Sequence, residues 1–379
     1  MLNDHDHSLQ GQRTIVVGGG ILGTVHALFA LRRGADVVHL ERDALPHGAS
    51  VRNFGLIWVS GRASGAELKL ALRSRTLWQE ISDEVPGVGF RANGSLTLIT
   101  GDSELEVAKR ALAREDADER EFALLGREEV RERNPALHGE FEAGLYCGRD
   151  AAVESRAVLG AVREAMAASG RYEYLAQREL VGLSDHEVID HRGMRHRGDQ
   201  VWLCVGATLS GFAAELFEDK PLRRVRLNMA ETAPLRRTLT TSLANGDSFR
   251  YYPGFRADAS ELLDAQEPLA ARYAIQLLCQ QRLHGGLTIG DTHETDEPGL
   301  FETHDAPMAL IVKAARQLIG DDVPDIERRW SGVYHQVDPA HDNIYFRRDL
   351  APGVTAITGA GGRGMTLAPA IAEESFRER

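Results

Sequence analysis

The spacing of apolar residues near the start of the chain predicts a strand, a helix and a second strand. Residues 14–17 are apolar or β-branched, residues 24–33 have helical periodicity, and residues 37–40 form a second apolar run. The same patterns predict further strands at residues 90–99, 144–146, 172–175, 179–183, 200–205, 227–231, 249–252, 286–289 and 354–358. They predict helices at residues 66–85, 104–133, 150–169, 210–217, 268–282, 307–318 and 365–376.

Segments that alternate strand and helix occur at the start, the middle and the end of the chain. The stretch between them, residues 221–330, reads mainly as strands with occasional helices. Runs of strands favour an antiparallel sheet in a second domain, whereas alternating elements favour a parallel sheet. The first domain is therefore predicted to be discontinuous in sequence.

The first strand leads into Gly18, Gly20 and Gly23, which have G-x-G-x-x-G spacing, and the second strand ends on Glu41. Gly18 permits a tight turn, Gly20 lets the backbone approach a pyrophosphate, and Gly23 lets the helix pack on the strand. Glu41 can accept hydrogen bonds from ribose hydroxyls, and the helix N-terminus attracts phosphate. The pattern predicts a dinucleotide site, for NAD or FAD alike; the alternative is an ordinary βαβ turn.

Composition narrows the classes of partner. The chain has 379 residues, 43% of them hydrophobic and 26% charged, and a formal net charge of -12, which argues against nucleic acid or an anionic membrane as the main partner. Three cysteines, Cys147, Cys204 and Cys279, are too few and too scattered for a disulfide framework or a metal cluster. No apolar run approaches the roughly 18 residues of a membrane span. We therefore expect a cytoplasmic enzyme with no metal and no membrane span.

Five segments together resemble the amine-oxidising flavoprotein family that includes D-amino-acid oxidase, glycine oxidase and sarcosine oxidase. They are residues 17–23, Glu41-Arg42, and residues 48–55, 205–210 and 359–366. The resemblance covers nearly the whole chain. Within the family the chain is most similar to a branch associated with phosphonate catabolism, on the Arg-Asn-Phe-Gly-Leu-Ile-Trp segment at 52–58 and the Gly-Arg-Gly-Met-Thr turn at 362–366.

The resemblance implies FAD, and a second glycine-rich turn at 359–364, which an NAD enzyme does not need, favours it independently. Backbone N–H groups of that turn can stabilise negative charge on the reduced flavin. The predicted cofactor-binding residues are Gly18, Gly20, Ile21, Leu22, Gly23, Glu41, Arg42, Ser50, Arg52, Asn53, Leu180, Gly206, Ala207, Gly361, Gly362, Arg363, Gly364, Met365 and Thr366. Leu180 matches the family's adenine contact, and Ser50, Arg52 and Asn53 match its loop beside the flavin ring.

Ordinary structural roles stay open for several of these residues. The loop residues could simply cap backbone groups, Arg42 could be solvated, and the C-terminal glycines could form a plain strand-to-helix turn. Some relatives attach flavin through a cysteine in the C-terminal third, but no cysteine follows Cys279, which falls in a predicted helix. The FAD is therefore predicted to be noncovalent.

The chemistry implied by the resemblance is hydride transfer from the carbon that bears an amine to flavin N5. The resulting imine hydrolyses to a carbonyl. Positioning of the C–H about 3–3.5 Å from N5 is the protein's main contribution. Because the amine must be neutral, no conspicuous acid or base is demanded. His284 and His293 fit no metal motif and are interpreted as surface or turn histidines.

Substrate anchoring departs from the family pattern. Glycine-oxidase-like relatives hold a carboxylate with Arg in a Trp-x-Gly-x-Arg-Pro segment, whereas this chain has Tyr334 and His335 in those positions. A larger tetrahedral anion such as a phosphonate suits Arg and hydroxyl donors. The candidate catalytic residues are Asn53, Tyr252, Tyr334, His335 and Arg363, with Arg62 as a further anion contact. The tyrosines could instead be core residues, and Arg62 a solvated loop residue.

These observations predict an α/β fold: a glutathione-reductase-like FAD-binding Rossmann domain with an α+β substrate domain on an antiparallel sheet. Residues 11–85, 141–222 and 331–379 form the first domain, and residues 86–140 and 223–330 the second. The predicted function is oxidation of a small amine, with an anionic aminophosphonate as the leading candidate and O2 or another acceptor taking the electrons. The alternatives are a dehydrogenase of a hydroxy acid or glycerol phosphate, and a non-catalytic FAD-binding subunit. The oligomeric state is left open.

Overall fold

The structure is a computed structural model that describes residues 6–295 and 302–377. Its strands are Arg13–Val17 (β1), Asp36–Leu40 (β2), Leu56–Ile57 (β3), Ser95–Ile99 (β4), Phe122–Gly126 (β5), Ala143–Cys147 (β6), Ala151–Ala152 (β7), Tyr172–Leu175 (β8), Leu180–Ser184 (β9), Glu187–Asp190 (β10), Arg195–Arg197 (β11), Gln200–Leu203 (β12), Leu222–Pro234 (β13), Ser242–Asn245 (β14), Leu278–Gln281 (β15), Gly286–Gly290 (β16), Glu294–Thr295 (β17), Ile326–Val337 (β18), Phe346–Ala351 (β19) and Val354–Thr358 (β20).

The helices are Ile21–Arg32 (α1), Ala66–Glu84 (α2), Asp102–Leu112 (α3), Ala117–Arg120 (α4), Arg127–Arg133 (α5), Val158–Ala167 (α6), Phe212–Glu215 (α7), Ser248–Tyr251 (α8), Arg256–Leu262 (α9), Pro268–Arg272 (α10), Asp305–Ile319 (α11) and Gly364–Arg377 (α12). Short 3-10 turns occupy Ala49–Val51, Pro86–Val88 and Gly361–Arg363.

A six-stranded sheet carries the dinucleotide motif. Its strand order is β19-β20-β12-β1-β2-β8, and every pair except β19–β20 is parallel. Side chains of β1 alternate between two cores, because Val16 packs with α1 and α12 while Ile15 and Val17 pack with Leu180 and Val188 below the sheet. Burial on both faces explains why the strand reads as one continuous apolar run.

A nine-stranded sheet forms the second layer of the molecule. Its order is β17-β13-β16-β15-β14-β4-β6-β5, with β18 also paired to β13, and only β14–β4 is parallel. Helix α11 covers one face through Ile311, Ala315 and Leu318. Leu227 and Met229 of β13 belong to a separate core that includes Trp58. The mainly antiparallel sheet predicted for the strand-rich part of the chain is present.

Strands β13 and β18 form a long antiparallel ribbon that connects the two layers. Their register runs from Leu222 opposite Val337 to Thr232 opposite Ile326. At the first end, a bridge joins Gln336 to Ala360, next to the C-terminal glycine-rich turn. The domain boundaries stay a prediction. The nine-stranded sheet contains β13 and β18, and it also contains β6, which lies inside the segment 141–222.

Four predicted elements are wrong in type or extent. The helix predicted at 268–282 ends at Arg272, because Ala274 adopts a left-handed φ of 42° and residues 278–281 pair as β15. The strand predicted at 249–252 is helix α8; Phe249 in the helix and Tyr252 directly after it are three residues apart and both buried. The charged span 104–133 is broken by β5, and the helix predicted at 150–169 begins only at Val158, after β7. In each case pairing or packing with distant residues overrides local preference.

Among residues 6–295 and 302–377, no helix combines the length and the hydropathy needed to cross a membrane.

The packing of α1 on β1 gives a first prediction. A Cβ at Gly23 would lie 1.9 Å from the Gly18 carbonyl oxygen, so Gly23→Ala must separate the helix from the strand. We expect a loss of about 3 kcal/mol of stability, measured from urea-unfolding midpoints. Gly160 is the matched control, since it lies in helix α6 with nothing within 4 Å of a Cβ. Gly160→Ala should raise stability by up to about 1 kcal/mol; equal effects of the two variants would contradict the packing argument.

Candidate functional site

The turn between β1 and α1 requires glycine for steric reasons at Gly18 as well as Gly23. Gly18 has a φ of 109°, and a Cβ there would lie 2.3 Å from the Cys204 carbonyl oxygen. Gly20 differs, because among the described residues only Ser50 Oγ, at 3.1 Å, lies close to a Cβ at that position. That hydroxyl accepts a hydrogen bond of 2.9 Å from the Ile21 N–H at the start of α1. The space over Gly20 is thus otherwise open, as a phosphate site requires.

Glu41 lies beside this turn with a buried carboxylate. Its Oε2 accepts a hydrogen bond of 2.6 Å from the Gly19 N–H, and its Oε1 accepts one of 2.9 Å from the Asp43 N–H. Each carboxylate oxygen can accept a second hydrogen bond. Arg42 is 44% exposed, with its Nε 3.3 Å from Asp43 Oδ2, and its contact with the cofactor stays a prediction.

Three parallel strands of the six-stranded sheet end at one edge, and a glycine with positive φ follows each of them. Gly18 follows β1, Gly206 with φ 65° follows β12, and Gly359 with φ 76° follows β20. Ala207 comes next in the β12 turn. Leu180 lies below the sheet, buried against its apolar underside. Ligands of open α/β sheets bind at the carboxyl ends of the strands.

The C-terminal turn faces two tyrosines from the nine-stranded sheet and its helices. A Cβ at Gly362 would lie 3.5 Å from the Tyr334 hydroxyl and 3.6 Å from the Tyr251 hydroxyl. The two hydroxyls are 3.3 Å apart. Thr366, one turn into α12, accepts a hydrogen bond of 2.9 Å from the Trp58 N–H. The turn therefore borders a pocket rather than solvent.

One cavity of about 530 Å³ brings most of the predicted flavin and substrate residues together. Those that line it are Ile21, Ser50, Arg52, Asn53, Arg62, Tyr252, Tyr334, Gly361, Gly362, Arg363, Gly364, Met365 and Thr366. Outside it lie Gly18, Gly20, Leu22, Gly23, Glu41, Arg42, Leu180, Gly206, Ala207 and His335.

Two buried charges hold the loop that carries Trp58 and Arg62 into the cavity. Asp150 accepts hydrogen bonds from the Val59 and Ser60 N–H groups at 2.5 and 2.9 Å, and from the hydroxyls of Ser60 and Ser95 at 2.7 and 2.6 Å. Burial raises the pKa of Asp150 in spite of these bonds. The carboxylate is a backbone anchor that the sequence pattern did not reveal.

Arg120 binds the other side of the same loop. Its guanidinium donates to the carbonyl oxygens of Val59, Ser60 and Arg62 at 3.0, 2.9 and 2.9 Å. Asp116 balances the charge at 2.8 Å. The planar guanidinium donates several N–H groups in a fixed geometry, and it thereby satisfies loop carbonyl groups that accept no hydrogen bond within a sheet.

Arg282 holds the earlier part of the loop from the nine-stranded sheet. It donates to the carbonyl oxygens of Asn53 and Phe54 at 2.9 and 3.1 Å. Burial lowers the pKa of Arg282 to about 10. The Asn53 amide itself bonds the backbone of Ala49, Ser50 and Gly55 at 2.7–2.9 Å. The side chain of Asn53 therefore shapes the loop, which is the structural alternative considered for it.

Arg62 is buried, so its interpretation as a solvated residue is wrong. It is 2% exposed, and its guanidinium carbon lies 5.2 Å from the centre of the Tyr252 ring. Glu67 Oε1 is 3.4 Å from an Nη of Arg62 and 3.4 Å from an Nη of Arg363, so two arginines share one carboxylate. Among the described residues, the buried Nε of Arg62 has no hydrogen-bond partner. The cavity thus contains an incompletely satisfied cation.

Tyr251, Tyr252 and Tyr334 form an aromatic wall that includes a histidine. Burial raises the pKa of all three tyrosines, so their hydroxyls stay protonated and can donate. His293 stacks on Tyr251 with ring centres 3.9 Å apart, and its Nε2 lies 3.6 Å from Asp291 Oδ2. His293 and Asp291 both line the cavity. His293 lies in the connection between β16 and β17, as predicted for a turn histidine, but its side chain is 7% exposed and it is not a surface residue.

His335 does not join Tyr334 in the cavity. Side chains of a strand alternate between faces; Tyr334 and Gln336 line the cavity, whereas His335 packs on Phe217 with ring centres 6.0 Å apart. Burial lowers the pKa of His335 to about 4. The sequence offered one usable signal for the residues it missed, since Asp291 and His293 follow directly on an apolar strand.

The second glycine-rich turn lines the cavity, and the dinucleotide turn lies beside it and reaches it through Ile21, an arrangement typical of a flavin-dependent oxidoreductase. The chain belongs to the family described as "DAO: FAD dependent oxidoreductase", which matches residues 13–375. It is similar to an opine oxidase subunit of Rhizobium meliloti, with 25% identity over 382 aligned residues, 96% of this chain and 94% of that protein.

Two solved structures show the same fold at low identity. Glycine oxidase from Bacillus cereus aligns with a TM-score of 0.77 and 17% identity over 97% of this chain and 96% of that one. L-α-glycerophosphate oxidase from Mycoplasma pneumoniae, with FAD bound, aligns with a TM-score of 0.71 and 17% identity over 97% and 94%. The predicted fold class, family and FAD cofactor are confirmed.

The residues present fit FAD. The space over Gly20 is open, the α1 N-terminus points toward it, and the cavity extends from Ile21 to the turn at Gly361. Cys147, Cys204 and Cys279 are all buried, and none of them lines the cavity. Cys279 lies in strand β15, not in the predicted helix.

The Asp150 anchor gives a second prediction. Asp150→Ala leaves the Val59 and Ser60 N–H groups without acceptors, at about 1–3 kcal/mol each, so we expect a lower urea midpoint and loss of FAD on gel filtration. Asp150→Asn keeps one acceptor oxygen and should be affected less. Asp185→Ala, on an exposed turn, is the control. FAD content and stability equal to wild type in Asp150→Ala would contradict the anchor.

A third prediction concerns the attachment of the cofactor. Because the three cysteines lie away from the cavity, acid precipitation should release all of the flavin into the supernatant. Absorbance of the two fractions near the flavin maximum measures this. Yellow colour that stays with the washed pellet would show a covalent link.

Proposed function

We propose that this protein oxidises a small amine that carries an anionic group. FAD, when bound, accepts a hydride from the carbon that bears the amine. The turn from Gly18 to Gly23 and Glu41 would hold the ADP half of the cofactor. Residues 361–365 would place backbone N–H groups at the pyrimidine end of the ring, and Ser50 would border the pyrophosphate.

The buried guanidinium of Arg62 is the observation that supports an anionic group on the substrate. Its Nε has no partner among the described residues, and Glu67 is shared with Arg363. An anion entering the cavity would complete this set with a charge-assisted hydrogen bond. The protonated hydroxyls of Tyr251 and Tyr334 supply further donors beside the C-terminal turn.

A tetrahedral phosphonate is our leading candidate for that anion. Tyr334 occupies the position where glycine-oxidase-like relatives carry the carboxylate-binding Arg, so a planar α-carboxylate has lost its usual partner. A phosphonate offers three acceptor oxygens to Arg62 and the tyrosines. A primary or secondary amine substrate agrees with the family and with the similarity to glycine oxidase. We also propose that the protein is cytoplasmic.

Two other functions have an observation in their favour. The similarity to L-α-glycerophosphate oxidase supports a hydroxyl-bearing substrate. The full-length similarity to an opine oxidase subunit supports a chain that works in a complex with a second subunit. The electron acceptor is open: Lys69, Lys109, Lys220 and Lys313 all lie outside the cavity, and the arginines that line it are Arg52, Arg62, Arg256 and Arg363.

Anaerobic stopped-flow reduction of the bound flavin tests the proposal. We expect 2-aminoethylphosphonate and its derivatives to reduce the flavin faster than glycine, sarcosine or D-amino acids. Faster reduction by any of these amino acids than by every phosphonate would reject the phosphonate assignment. Reduction by a hydroxy acid or glycerol phosphate alone would reject an amine. Flavin that no substrate reduces, in a chain that copurifies with another, would favour the subunit function.

A further inference from the structure

Asp291 is an unusual residue to find in this cavity wall. It follows the last residue of β16, is 4% exposed, and lines the cavity beside the apolar side chains of Met229 and Leu278. In the described part of the chain, no arginine or lysine lies within ion-pair distance of its carboxylate; its one ionisable neighbour at that range is His293 at 3.6 Å. A buried carboxylate without a strong partner costs several kcal/mol, on the order of the whole margin of stability.

Gln276 adds a second unsatisfied acceptor at the same place. Its Nε2 donates to Asp291 Oδ1 at 3.2 Å, and its main chain pairs with that of Asp291. Gln276 is 1% exposed, lines the cavity, and has an Oε1 that no described residue bonds. The Asp291 carboxylate without an arginine or lysine partner and the unbonded Gln276 Oε1 are two acceptors at one place, so the site can bind N–H groups of a ligand. An alkylammonium group supplies up to three.

We propose that Asp291, with Gln276, binds the amino group of the substrate, and that the cavity recognises a zwitterion. This inference rests on the proposed amine oxidation. Arg62 is the opposite pole, because its buried Nε lacks an acceptor whereas the Oε1 of Gln276 lacks a donor. The Tyr252 ring, which lies 5.2 Å from the Arg62 guanidinium, borders both poles. A substrate with an amine at one end and an anion at the other fills both.

The same contact would prepare the amine for oxidation. The bound ammonium gives one proton to the Asp291 carboxylate; the N–H bond breaks, a carboxyl O–H bond forms, and both charges disappear. The nitrogen regains the lone pair that loss of a hydride from the neighbouring carbon requires. Asp291 is thus a catalytic residue in the strict sense that it touches the reacting group.

The surroundings of Asp291 favour this direction of transfer. Burial raises the pKa of the Asp291 carboxyl, and His293 opposes that shift as its nearest titratable neighbour. The hydroxyls of Tyr251, Tyr252 and Tyr334 also face it and stay protonated. Because the folded pKa lies above the unfolded one, charging Asp291 weakens the fold as pH rises. Asp291→Asn should therefore fold at least as stably as wild type at neutral pH.

Matched ligands separate the two poles. Propylphosphonate is 2-aminoethylphosphonate with a methyl group in place of the ammonium, and propionate is related to glycine in the same way. The anion is unchanged within each pair. Dissociation constants come from the change in flavin absorbance on anaerobic mixing, before reduction. In Asp291→Asn we expect the amine ligand to bind at least tenfold more weakly and the methyl ligand within twofold of wild type. Arg62→Gln should weaken both ligands alike, and Asp321→Asn, on an exposed turn, neither.

The pH dependence gives a second readout. Without Asp291 only the free amine is competent, so flavin reduction in Asp291→Asn should rise tenfold per pH unit below the amine pKa, and wild type should be flatter. Gln276→Met should reproduce the selective loss of amine binding if Asp291→Asn does not fold. The inference would be overturned if Asp291→Asn lost affinity for the amine ligand and the methyl ligand equally, or kept its affinity for the amine ligand. It would also be overturned if wild type bound neither amine ligand more tightly than its methyl counterpart. Wild type that binds the amine selectively but is not reduced by it would reject the proposed function alone.

Discussion

The cavity depends on the burial of three charged side chains against one irregular loop. Residues 53–62 form almost no sheet, so their backbone polar groups need partners from elsewhere. Arg120 and Arg282 donate to five of the loop's carbonyl oxygens, and Asp150 accepts from two of its N–H groups. Burying a lone ion costs several kcal/mol, and these hydrogen bonds offset that cost. The loop is thereby fixed as firmly as a strand, which is what a site needs to hold a side chain such as Arg62 in place.

The two sheets contribute different things to the site. The six-stranded sheet supplies backbone, because three parallel strands end at one edge in glycine turns that can approach a cofactor closely. The nine-stranded sheet and its helices supply side chains: Tyr251, Tyr334, Asp291 and His293 all reach the cavity from that layer. Cofactor identity and substrate choice are thus encoded in separate parts of the fold, and the second can change while the first is kept.

Sequence motifs were sufficient to predict FAD as the cofactor, but they did not predict which side chains are buried around the cavity. Gly18 and Gly23 have a local reason, a turn and a close helix, that can be read without the rest of the chain. Arg62 packs on Tyr252, which lies 190 residues later in the chain, and His293 stacks on Tyr251, which lies 42 residues earlier. His335 shows the limit most simply, since its adjacency to Tyr334 in sequence puts it on the opposite face of the strand. The same long-range pairing turned residues 278–281 from a predicted helix into β15.

The ribbon of β13 and β18 has a mechanical consequence. Both strands run unbroken from beside the C-terminal glycine turn into the nine-stranded sheet, paired along their length. A paired ribbon of this length resists bending between the two sheets, so a hinge motion that separates the sheets is disfavoured. Ligand exchange must then use the rim, where the connection after β18 contributes Pro339, His341 and Asp342 to the cavity wall. Turnover would be limited by local movement of that rim, and stiffening it should slow product escape while leaving the architecture of the pocket unchanged.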